Sequence, residues 1–149
     1  MPRPPGTIYL GNAGPIPLYV HWSAAFMVLL AFSAGGDVPT SIAVLLALVV
    51  GIVLHEFGHG FTALLFRARN ISVTLWAIGG VCASEREREG RHWAEVAILV
   101  AGPAVSFALA AVAYAALDLI HDRWPQVLQQ GDGLTMWGVI LLMLYWVNL

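Results

Sequence analysis

The amino-acid sequence predicts an all-α polytopic membrane protein of about four transmembrane helices, with a short β-strand or re-entrant element between the second and third. Three observations carry this expectation. Of 149 residues, 59% are hydrophobic and 11% charged, and the mean hydropathy is +0.77, whereas a soluble domain carries about a quarter charged residues. The apolar residues gather into four runs, most of them bounded by turn or charge signals. One stretch, Ile71 to Trp76, departs from this pattern and alternates β-branched or apolar residues with small polar ones before Gly79-Gly80.

In chain order, Met1 to Pro17 is rich in proline and glycine rather than an apolar stretch behind basic residues, so no cleavable signal peptide is expected and the first membrane helix would do the targeting. That helix is expected from about Leu18 to Ala34, stopping at Gly35-Gly36-Asp37. The second runs from Ser41 to Phe66 and ends at Arg67 and Arg69. After the strand-like Ile71–Trp76, the alternating charges from Glu85 to Arg91 read as a solvated face. The third run, about Ala94 to Ile120, ends at His121-Asp122-Arg123. The fourth begins near Leu134 and is still apolar at Leu149, short of the ~20 residues that span a bilayer. Residues 1–149 are therefore expected to form a single transmembrane core cut within its fourth helix.

Charge sets orientation and excludes one class of partner. Arg3, Arg67, Arg69, Arg86, Arg88 and Arg91 fall on one side of this topology and Arg123 on the other, which predicts a multi-pass cell-membrane protein with a cytoplasmic N-terminus. The net charge is −2 and the seven basic residues are scattered arginines, a pattern that fits the lipid bilayer and no nucleic acid. Trp22, Trp93, Trp124 and Trp137, with His21, His92 and His121, lie near expected helix ends as interfacial anchors do. The single Cys82 reads as a small buried hydrophobe. Nothing in the pattern bears on oligomeric state.

Within the second apolar run stands His55-Glu56-Phe57-Gly58-His59. Histidines four apart lie about 40° apart on a helical wheel, so both imidazoles can hold one metal ion while Glu56 reaches a water bound to it. Zinc in a hydrolase takes three protein ligands and keeps a position for water. His55 and His59 supply two, and Glu56 would act as general base and then general acid. Ionisable groups in such a segment are functional by default. At 1.5 Å per residue the site lies roughly 10 to 17 Å from the cytoplasmic end of the helix. Gly51, His55, Gly58 and Thr62 share a face, and Ala104, Ala108, Ala111 and Ala115 offer a second small stripe for close helix packing.

Several motifs in order resemble the site-2 protease family of intramembrane zinc metalloproteases, peptidase family M50: Gly14-Pro15-Ile16-Pro17 through Val20-His21-Trp22-Ser23, His55-Glu56-Phe57-Gly58-His59, Gly79-Gly80-Val81, Ala101-Gly102-Pro103-Ala104-Val105-Ser106, and Asn148-Leu149. The resemblance implies a zinc metalloendopeptidase, with one zinc per chain on His55 and His59, Glu56 as catalytic base, and Gly79, Gly80 and Val81 in a substrate-pairing segment. It implies transmembrane proteins as substrates, cleaved within or near their membrane segments, with the active-site end toward the cytoplasm. The family's third ligand is an aspartate of a Leu-Asp-Gly motif, which this chain would carry beyond Leu149. Two other readings stay open: a different membrane zincin with Glu95 as third ligand, and a catalytically inactive binding or scaffold protein of the same fold.

Overall fold

The computed structural model describes residues 3–33, 36–85, 92–123, 129–130 and 133–134. Its elements are strands β1 (Thr7–Ala13) and β2 (Ile16–His21), a 3-10 turn (Trp22–Ala24), helices α1 (Ala25–Ser33) and α2 (Val38–Leu65), strands β3 (Arg69–Trp76) and β4 (Gly79–Glu85), helix α3 (His92–Arg123), and two-residue strands β5 (Gln129–Gln130) and β6 (Gly133–Leu134). Contacts divide the chain into two compact units, Met1–Met27 with Ile52–Val105, and Val28–Gly51 with Ser106–Leu149.

A mixed four-stranded sheet, in order β1-β2-β3-β4, corrects the all-α expectation. β1 and β2 form an antiparallel hairpin, β2 and β3 pair in parallel through Leu18↔Val73, Tyr19↔Thr74 and Val20↔Leu75, and β3 and β4 close a second hairpin. The apolar run read as the start of a first helix at Leu18 is strand as far as His21. Over so few residues, hydropathy alone does not separate a buried strand from a helix. What remains, α1, has 9 residues, about 14 Å of helix against a hydrocarbon core of about 30 Å.

The four-helix expectation is corrected as well. Among the described residues two helices are long and apolar enough to cross a membrane, Val38–Leu65 and His92–His121. The expected fourth helix lies outside the described residues apart from Leu134, which is in β6. The ends expected for the second and third runs agree with α2 and α3 to within about three residues, the ordinary scatter of helix boundaries.

Local chemistry sets both ends of α2. Asp37 accepts a hydrogen bond from the Thr40 backbone N–H at 3.0 Å, an N-cap, and the bonds from Thr40 hold its carboxyl below the usual carboxylate range. At the other end Arg67 takes the left-handed conformation with φ 57, Arg67 N–H donates to the Leu64 carbonyl at 2.9 Å, and Ala68 N–H donates to Ala63 at 3.0 Å. This pair of bonds is a Schellman motif built without glycine. It turns the chain straight into β3.

The first unit has its core between the end of α2 and the sheet, where Ile16, Phe57, Ala63, Ala68, Ile71 and Val73 are buried together. In the second unit the buried residues are small, Ala31, Ala43, Ala47, Ala110 and Ala113 with Ser41, while Leu29, Leu46, Val112 and Leu119 are exposed. Small residues inside and large apolar ones outside is the pattern of helices that meet in lipid rather than in water.

Candidate metal centre

The last turns of α2 carry His55, Glu56 and His59 into the first unit. The two imidazoles stand edge to face, with ring centroids 4.9 Å apart, and their Nε2 atoms are 3.2 Å apart. His59 Nδ1 lies 2.6 Å from the Ile98 carbonyl of α3. A carbonyl only accepts, so Nδ1 carries the proton and Nε2 presents its lone pair toward His55. Among the described residues Glu56 is the one acidic or basic side chain that is buried.

The donor set fits a divalent zinc ion. Two nitrogens bound at 2.0–2.1 Å to one tetrahedral ion lie about 3.3 Å apart, close to the separation observed. A ligating histidine commonly donates its other ring N–H to a carbonyl or carboxylate, which fixes tautomer and ring orientation. Among the described residues no third histidine, cysteine or carboxylate joins the pair to form a group able to hold a metal. Glu95 is exposed in the first turn of α3 and belongs to no such group.

β4 runs beside the same helix turns. Gly80 lies against Glu56, where an added Cβ would stand 2.9 Å from Cδ and 3.0 Å from Oε1. Cys82, two residues on, lies over Gly60, and burial followed by the nearby Glu56 charge pushes its thiol up to about 11. A Cβ added at Gly79 would meet nothing within 4 Å among the described residues. Val81 points away and is 53% exposed, because successive strand residues face opposite sides. Of the three residues expected in a substrate-pairing segment, only Gly80 therefore touches the Glu56 side chain. All three lie on β4, one of the two edge strands of the sheet among the described residues.

The sequence reading quoted Ala101 and Gly102 within a motif and gave neither a place at the site. Gly102 is buried against both imidazoles, where an added Cβ would stand 2.7 Å from His55 Nε2 and nearer still to His59. Gly58 abuts Ala101, where an added Cβ would fall 2.8 Å from its carbonyl oxygen. The face of α3 turned to the site is thus Ile98, Ala101, Gly102 and Val105. The alanine stripe expected there, Ala104, Ala108, Ala111 and Ala115, is exposed. A glycine directly before Pro103, inside an otherwise apolar run, was the available signal. His21 accepts from the Ser23 backbone N–H at 3.2 Å and stacks on Trp76 with centroids 4.0 Å apart.

The site is thus an apolar helix bearing His-Glu-x-x-His, with the glutamate against β4. Residues 43–144 match the model of peptidase family M50, and the chain belongs to that family, as the resemblance to site-2 proteases led us to expect. It is 29% identical over 155 residues to a Synechocystis protein that bears a provisional zinc metalloprotease name, covering 95% of this chain and 40% of that protein. It is 30% identical over 99 residues to a zinc metalloprotease of Methanocaldococcus jannaschii, covering 66% of this chain and 28% of that one. The fold is similar to that of the site-2 protease from Methanocaldococcus jannaschii, with a TM-score of 0.69 at 20% identity over 95% of this chain and 62% of the other. The chain thus spans less than half the length of either curated relative.

Proposed function

We propose that this chain is the catalytic core of an intramembrane zinc metalloendopeptidase that cleaves membrane-anchored proteins within or near their transmembrane segments. The observation that carries the reading is the convergence of His55 and His59 Nε2 at 3.2 Å on a span-length apolar helix. His55 and His59 would hold one zinc ion, with a third ligand from outside the described residues. Bound zinc would supply Lewis acidity, which polarises a carbonyl and acidifies water.

The chain's own residues do the rest. Glu56 takes the proton of the attacking water and returns it to the leaving amine, and its burial keeps bulk water from competing for the carboxylate. Ile98 holds His59 in the tautomer that binds through Nε2. A substrate helix hides its amides, so it must become extended before it can be cut, and the edge of β4, unpaired among the described residues, offers backbone pairing for such a segment. Gly79 and Gly80 bring that edge to the base without intervening side chains, and Val81 presents an apolar contact. Arg67 and Arg69 at the end of α2 favour a cytoplasmic placement of the site end.

Glu56→Gln in the full-length protein is the test. Cleavage of a membrane-anchored substrate is expected to fall at least a thousandfold while zinc remains bound at one per chain, in keeping with loss of a general base. Retained cleavage would overturn the role of Glu56.

A further inference from the structure

We infer that Gly102 is the residue of α3 that makes the space between His55 and His59 available to a divalent cation, and that any side chain at this position excludes the ion. The inference rests on the reading of the two histidines as ligands. Three features bound that space. The backbone of Gly102 faces both imidazoles, and a Cβ there would stand 2.7 Å from His55 Nε2 and closer to His59 Nε2. Carbon in contact with nitrogen needs more than 3 Å, so a methyl group and a metal ion compete for one volume. The carbonyl of Ile98, one turn earlier, fixes His59 Nδ1 at 2.6 Å and so commits Nε2 to the side that Gly102 lines.

The third feature is the close packing of α3 on α2, which α3 would have to give up, together with the Ile98 hydrogen bond, in order to withdraw and make room. Gly58, on α2 one residue before His59, approaches so closely that even a Cβ would stand 2.8 Å from the Ala101 carbonyl. Contact at Ala101 and the hydrogen bond at Ile98 pin the turn that carries Gly102. A larger residue at 102 would therefore press on the imidazoles rather than displace the helix. Gly102 acts as a positioning residue for the cation through its lack of a side chain; it donates nothing to the metal itself.

The experiment compares full-length protein with its Gly102→Ala variant, equilibrated with buffered free Zn²⁺ and read by metal content. The expected result is one zinc per wild-type chain and an affinity at least a hundredfold weaker for Gly102→Ala; wild-type affinity in the variant overturns the inference. Metal-free thermal unfolding supplies an independent arm. Gly102→Ala is expected to lower Tm when His55 and His59 are present and to lower it less in the His55→Ala/His59→Ala background, where the methyl has nothing to strike. This background also covers the case in which the single variant does not fold. A Tm loss as large without the imidazoles as with them assigns Gly102 to helix packing and overturns the inference. Absence of zinc from the wild type would instead overturn the reading of the histidines, while the unfolding arm still reads the contact.

Discussion

β3 and β4 are partners in one hairpin, yet they live in opposite surroundings. Every residue of β3 from Ile71 to Leu75 is buried, including Ser72 and Thr74, whereas no residue of β4 is fully buried. β3 lies between two strands and under α2, and β4 has strand pairing on one side among the described residues. A strand buried on both faces spends its sequence on packing. An edge strand keeps backbone donors and acceptors open to further pairing, which is a hazard in most proteins and is the property that the proposed function would use. The hairpin thus sets a strand committed to the core beside one that is not, across six residue pairs.

The contrast can be broken most severely in β3. Val73 is fully buried, so Val73→Asp is expected to destabilise the full-length protein by about 4 kcal/mol or more, through an unpaired buried charge, and to remove its cooperative thermal transition in detergent. In β4, Gly80→Ala should leave most of that transition in place while its methyl displaces Glu56. A misplacement of about 1 Å costs about a hundredfold in turnover, and kcat measured beside Tm checks both halves; a Tm loss matching that of the β3 variant would erase the distinction.

The gentlest test uses pH. The Cys82 thiol is raised to about 11, above its ordinary value near 9, so the folded state favours the protonated form. Its contribution to stability is complete below pH 9 and is lost as pH rises toward 11. Alkylation of Cys82 in the folded protein should therefore keep accelerating up to about pH 11. A plateau near pH 9 would mean that β4 stands away from Glu56 and leaves the thiol solvated.

Local spacing made part of this molecule legible. His55, Glu56 and His59 required only the helical period and an apolar background, and β3 announced itself by alternation. β1 and β2 did not: Gly11, Gly14 and Pro15 break the pattern around β1, and β2 merges with the apolar run of α1 and is secured by a parallel partner far along the chain. The same reason hid Ile98 and the part that Gly102 plays at the site. Their importance lies in what stands across from them on another helix, and no periodicity within α3 reports a neighbour on α2. The alanine stripe misled because small residues also occur on faces that no described element covers.

The parallel pairing of β2 with β3 imposes an order of assembly. The two strands are roughly fifty residues apart in sequence, and such non-local pairing forms late. α1 and α2 lie between them, so β2 must wait until the helix bearing the histidines has been made and β3 has followed it. Only then is the sheet complete enough to hold β4 against Glu56. A chain still emerging during synthesis therefore carries its histidine helix before the strand beside Glu56 has a sheet to join.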